Sequence, residues 1–382
     1  MTKPLLASMR EATRILQTRG PAEATAAIQR ALQGIPLEVD APTTAEVASA
    51  DAVEGPTVAS RPLLRSWVGA TMPRISSAPL EQPTAEPPRA KGGRTDAPPG
   101  RFLSGSFAND AGAREYKLYV PSGYLGQALP LVVMLHGCTQ TPDDFASGTR
   151  MNAAAEMLPC FVLYPAQAQR ANGNRCWNWF DRGHQARDRG EPSILADLTR
   201  EIIGKYGIDP RRVYVAGLSA GGAMAAVMKT TYPDLYAAVG VHSGLAYGAA
   251  HDLPSALQAM QGRGRRGEVV ARGELTPLIV FHGDGDRTVH PRNGEQVLGQ
   301  SVPADARAAN DPRREVQRGR APDGHPFTRT LYRDDAGRVI AEHWLVHGAA
   351  HAWSGGSPEG SHVDPAGPDA TREMLRFFSQ LR

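Results

Sequence analysis

Three short stretches carry residue types that together could perform acyl transfer. Gly217-Leu218-Ser219-Ala220-Gly221 sets a serine hydroxyl between glycines, His282-Gly283-Asp284-Gly285-Asp286 supplies carboxylates, and His347-Gly348-Ala349-Ala350-His351 supplies imidazoles. A serine hydroxyl is a weak nucleophile at neutral pH. It needs an imidazole to take its proton, and the imidazole needs a carboxylate to fix its tautomer. G-x-S-x-G alone is common, so its surroundings decide its meaning. Arg212 to Ala216 is β-branched and aromatic and reads as a buried strand, whereas Ala223 to Met228 is apolar and Ala-rich and reads as a helix. Ser219 therefore falls at a strand-to-helix turn. There the glycines keep side chains out of neighbouring backbone, and the helix N-terminus aims N–H groups at developing negative charge.

Each partner was a choice between neighbours. Asp286 fits the H-G-x-x-D spacing and is the favoured carboxylate, while Asp284, beside glycine, has ordinary turn chemistry. His351 is the expected base, carried by a loop of small residues; His347 ends the preceding strand and His343 lies within it. The order Ser219, Asp286, His351 is the one that α/β-hydrolases use. The oxyanion donors are expected to be the Ala220 N–H and the N–H of Cys138 or Thr139, in the loop His136-Gly137-Cys138-Thr139-Gln140.

These groups need a sheet to hold them. Leu129 to Leu135, Phe161 to Tyr164, Arg212 to Ala216, Ala237 to Val241 and Pro277 to Phe281 are short, largely apolar runs, as in strands buried on both faces. Glu115 to Val120 alternates like a half-exposed edge strand, and Thr328 to Tyr332 with Val339 to Val346 reads as a hairpin. Helical spacing over Ile194 to Tyr206 and Asp369 to Leu381 completes an α/β pattern: a mostly parallel central sheet with helices on both faces. In such sheets ligands bind beyond the carboxyl ends of the strands, where all the stretches above fall.

The chain has 382 residues, 41% hydrophobic and 21% charged, with a formal net charge of +3. That is enough for a large core and too little positive charge for a nucleic-acid surface. No apolar run is long enough to span a membrane. Metal chemistry has no visible ligand set, since H-E-x-x-H and paired cysteines are missing, and no cofactor is implied. Residues 1–34 read as a short helical segment and residues 35–100 as a Pro/Ala-rich linker, leaving 101–382 for the catalytic domain. The first residues lack the pattern of a Sec-type signal peptide, which sets a cytoplasmic location as the expectation.

Taken together, Leu135 to Gln140, Arg175-Cys176-Trp177-Asn178-Trp179-Phe180, Arg212 to Gly222, His282 to Asp286 and His351-Ala352-Trp353-Ser354-Gly355 resemble the esterase family of poly(3-hydroxybutyrate) depolymerases. That family is related to feruloyl and acetylxylan esterases, and the resemblance covers about Gly105 to Arg382. It implies a carboxylic ester hydrolase with an acyl-enzyme, a triad of Ser219, Asp286 and His351, a polyester or small ester as substrate, and an extracellular location as the alternative. Trp177, Trp179 and Trp353 are candidates to line an acyl groove and Asn178 to supply a polar contact, the other reading of the rings being a cap on the core. Cys138 and Cys176 lie in loops near the strand ends and could form a bridge, whereas Cys160 reads as a buried thiol. Two further readings compete: a feruloyl or acetylxylan-type esterase, and a polymer-granule-associated protein docked through its N-terminal helices. Oligomeric state is left open.

Overall fold

The computed structural model describes residues 100–264 and 276–381. The expected helical segment at 1–34 and the linker as far as residue 99 lie outside them. Strands β1 (Arg101–Asn109), β2 (Gly112–Val120), β3 (Leu131–Leu135), β4 (Phe161–Pro165), β5 (Val213–Leu218), β6 (Ala238–His242), β7 (Leu278–Gly283), β8 (Arg314–Arg320), β9 (Pro326–Arg333) and β10 (Val339–Val346) form one sheet. Its order is β1-β2-β4-β3-β5-β6-β7-β10-β9-β8. The run from β4 to β10 is parallel throughout, and antiparallel strands flank it on both sides.

The apolar runs become central strands because both faces are covered. Leu131, Val133 and Leu135 of β3 face one core with α3 (Gly190–Tyr206) and α4 (Ala220–Thr231). Val132 and Met134 face a second core with α1 (Pro142–Thr149), α2 (Met151–Met157) and α6 (Ala370–Ser379). All five residues of β3 are fully buried, each worth about 1.5–3 kcal/mol relative to exposure.

Two expectations change. β2 is not an edge strand, since it pairs with both β1 and β4; its alternation marks a sheet face left partly open to solvent. The hairpin of β9 and β10 has a further partner in β8, whose mostly exposed sequence Arg-Glu-Val-Gln-Arg-Gly-Arg has no apolar pattern to announce it. Registers Leu135 with Gly217, Leu218 with His242 and Val346 with Gly283 bring the carboxyl ends of β3, β5, β6, β7 and β10 to one rim.

Candidate active site

Ser219 is the hinge between β5 and α4, with φ 57° and ψ −118°. A positive φ on a non-glycine residue is strained by about 1–3 kcal/mol and persists only where its surroundings enforce it. Here the Ser219 N–H donates to the His242 carbonyl at 2.9 Å, pinning the turn to the end of β6. The turn also presses on β3: a Cβ on Gly221 would sit 2.0 Å from the Leu135 carbonyl oxygen, so only glycine fits.

Asp286 and His351 meet as two loops converge. The Asp284 N–H donates to the Val346 carbonyl and the Gly285 N–H to the Ala349 carbonyl, each at 3.0 Å. His351 Nδ1 then lies 2.7 Å from Asp286 Oδ2. The other carboxylate oxygen of Asp286 accepts the Thr288 N–H at 2.9 Å and the Val289 N–H at 2.8 Å. Burial would raise the Asp286 carboxyl, but hydrogen bonds from His282 and His351 outweigh it and hold the group well below the usual carboxylate range. It stays ionised and fixes His351 with Nε2 free to accept a proton.

The rival residues form a chain of their own. His347 Nδ1 lies 2.8 Å from Asp284 Oδ2, and its Nε2 lies 2.9 Å from Thr328 Oγ1. Asp284 also takes the Gly348 N–H at 2.7 Å, so it ties off the end of β10, and among the described residues it makes no hydrogen bond or ion pair with His351. His343 lies in β10 with a buried Nε2 that has no hydrogen-bond partner among the described residues, and burial pushes its pKa down to about 4.

The oxyanion donors separate in the same way. The Thr139 N–H donates to the Asn174 carbonyl at 2.7 Å and is spent there. The Cys138 N–H has no such acceptor among the described residues, and the Ala220 N–H is an unpaired first-turn donor of α4. Cys138 is bonded to Cys176, Cys160 is a buried free thiol, and His136 braces the loop from behind. His136 Nδ1 meets the Gly137 carbonyl at 2.7 Å, and its Nε2 accepts the Gln167 N–H at 3.1 Å. Burial lowers its pKa to about 4, so it remains a neutral strut.

The bridge closes a loop of 38 residues, for which chain entropy gives about 4 kcal/mol. Reduction is accordingly expected to lower the thermal midpoint by roughly 5–10 °C. Any acyl transfer at Ser219 should slow before the chain unfolds, because the Cys138 N–H loses its tether. Differential scanning fluorimetry and activity with and without reductant check this, and an unchanged midpoint would count against a bridge in solution.

Ser219, His351, Cys138 and Ala220 line one cavity of about 160 Å³. Its far wall is apolar: Trp179, Phe180, Leu245, Val289, and Leu253, Leu257 and Met260 from α5 (Leu253–Met260). Among the described residues no Asp, Glu, Lys or Arg lines it. Of the expected substrate contacts only Trp179 reaches the cavity. Trp177 is fully buried against His136, 5.7 Å between ring centroids. Trp353 is buried under Phe145 and donates its Nε1–H to Thr371 at 3.1 Å. Asn178 gives its backbone N–H (2.7 Å) and its amide (2.8 Å) to the buried Glu191, so its polarity anchors the loop and is not offered to substrate. Sequence reasoning missed Phe180, Leu245, Val289, the α5 wall and His362, which lines the cavity with its Nε2 3.5 Å from Thr139 Oγ1. Only α5 left a local signal, the capping box of Asp252 and Ser255 around Pro254.

Among the described residues no grouping of three or more His, Cys, Asp or Glu side chains could hold a metal ion, and no helix is long and apolar enough to cross a membrane. Residues 114–317 match the family model described as esterase PHB depolymerase. Poly(3-hydroxyalkanoate) depolymerase C of Paucimonas lemoignei is 35% identical over 51% of this chain and 49% of its own. Poly(3-hydroxybutyrate) depolymerase of Ralstonia pickettii is 28% identical over 77% of this chain and 61% of its own. The chain thus spans about half to three-fifths of the length of these two relatives. Feruloyl esterase B of Neurospora crassa is 31% identical over 50% of this chain and 70% of its own. Among solved structures, an acetyl xylan esterase from Aspergillus awamori superposes with a TM-score of 0.55 at 19% identity, over 73% of this chain and 98% of that one. At that identity the likeness establishes the shared α/β-hydrolase fold.

Proposed function

This chain belongs to the esterase PHB depolymerase family, and from that premise we propose that it hydrolyses short-chain 3-hydroxyacyl esters, poly(3-hydroxybutyrate) or its oligomers, through an acyl-enzyme on Ser219. One observation carries the reading: a strained serine and an aspartate-bound histidine open onto the same uncharged, largely apolar cavity. Such a lining suits a small neutral acyl group and gives a charged substrate no partner.

In the proposed cycle Ser219 Oγ attacks the ester carbonyl carbon as His351 Nε2 takes its proton. The Ala220 and Cys138 N–H groups receive the negative oxygen. Collapse of the tetrahedral adduct breaks the bond to the alcohol, which leaves with the proton from His351. Water then attacks the acyl-serine, gives a proton to His351, and the acid departs as Ser219 recovers it. Asp286 holds the imidazole throughout and balances the imidazolium charge.

Product release from amorphous poly(3-hydroxybutyrate) and from p-nitrophenyl butyrate, with Ser219→Ala as control, tests the reading. Activity on both, lost in the variant, is the expected result. A second reading rests on the feruloyl esterase relative and on the Trp179–Phe180 pair, 5.6 Å between centroids, which could hold an aromatic acyl group. Turnover of methyl ferulate with none of the polyester would favour it. Loss of granule association on deleting residues 1–100 would support the competing reading in which that segment docks on a polymer granule.

A further inference from the structure

We infer that His242 is a positioning residue for this reaction, and that its imidazole holds the His351 loop in register with Ser219. The inference rests on the esterase reading above. His242 ends β6 and is 1% exposed. Its carbonyl accepts the Ser219 N–H at 2.9 Å, and its Nε2 accepts the Ser354 N–H, also at 2.9 Å. Ser354 follows His351 by three residues, so one side chain and its own backbone grip both the nucleophile turn and the base loop.

The grip sets the tautomer. With Nε2 accepting, the proton sits on Nδ1, which faces Ser243 Oγ at 3.2 Å. The ring is stacked between Phe281, 5.7 Å away at 15°, and Trp353, 5.1 Å away at 26°. Burial first, and then the charges of His282 and His351, lower the pKa to about 3, so the ring remains a neutral acceptor across ordinary pH. His242 does not line the substrate cavity. Its influence runs through the placement of His351, and a displacement of about 1 Å in a catalytic group can cost on the order of a hundredfold in rate.

Two variants separate the acceptor from the packing. His242→Phe keeps a stacked ring and removes the acceptor. His242→Gln loses the ring but returns an oxygen acceptor near the Nε2 position. On p-nitrophenyl butyrate, His242→Phe is expected to lower kcat by roughly 10- to 100-fold with KM within about threefold. His242→Gln should recover kcat to within about fivefold of the parent. The downfield proton resonance of His351 Nδ1–H should weaken or vanish in His242→Phe and persist in His242→Gln. A Phe variant with parental kcat, or a Gln variant no better than the Phe variant, overturns the inference. If His242→Phe does not fold, Ser243→Ala carries the test: kcat should fall roughly 3- to 10-fold at constant KM, and parental kcat overturns it. A parent protein inactive on the ester would retire the esterase reading alone, since the resonance would still report whether His242 positions His351.

Discussion

Ser219→Ala is expected to lower kcat on p-nitrophenyl butyrate by on the order of 10⁵- to 10⁶-fold, with KM within about threefold. Removing the nucleophile leaves only transition-state stabilisation by the Ala220 and Cys138 N–H groups and the binding provided by the cavity. The fold should not notice. Ser219 holds its turn through its backbone N–H, bound to the His242 carbonyl at 2.9 Å, and alanine keeps that bond. Steady-state kinetics beside a thermal melt would show activity lost at an unchanged midpoint. Retention of more than about a hundredth of the parental kcat would mean that Ser219 is not the nucleophile.

The second large effect separates the two aspartates. Asp286→Asn should lower kcat by about 10⁴-fold, because an amide can donate to His351 Nδ1 and so favour the tautomer that cannot accept the serine proton. Asparagine keeps an oxygen for the Thr288 and Val289 N–H groups, which hold the loop at 2.9 and 2.8 Å, so the loss is chemical and not a collapse of the turn. Asp284→Asn should change kcat by less than about threefold, since its partners are His347 and Gly348. The reverse pattern would move the catalytic role to Asp284. The folded-state pKa of Asp286 is depressed, so its carboxylate adds stability above the unfolded value near about 4 that is lost as pH falls through the folded one. The stability gap between parent and Asp286→Asn should therefore be full at neutral pH and close in acid, as urea titrations at several pH values would measure.

What could be read from residues alone follows the range of the physics. Gly217-x-Ser219-x-Gly221 is local: a strand, a turn too tight for side chains and a helix lie within one stretch, so its geometry is written there. The buried strands were legible for the same reason, because burial on both faces demands unbroken apolar runs. The aromatic string was not. Whether Trp177 or Trp179 faces the cavity depends on the fold of the surrounding loop, in which Glu191, a buried carboxylate 13 positions on, holds Asn178 between them. Cys138 and Thr139 likewise could not be ranked as oxyanion donors without knowing that the Asn174 carbonyl takes one N–H. The clamp at His242 has no sequence signature, since it joins the end of β6 to a loop 112 positions on. β8 escaped because a polar strand on an open sheet flank carries no burial pattern.

The order in which the strands lie also bears on how the molecule comes to life after synthesis. Asp286 and His351 are 65 positions apart along the chain, and β7 and β10, which carry them, are sheet neighbours. The nucleophile turn hangs from β5, two places away across β6. None of these pairings is local, and loop closure over such distances makes parallel strands slow to assemble. Turnover should thus be among the last properties regained on refolding, together with burial of Trp353 and after secondary structure and most burial of Trp177 have returned. A chain stalled before β10 docks would look largely folded by circular dichroism and yet hydrolyse nothing, and the lag between the two signals would time the docking of that strand.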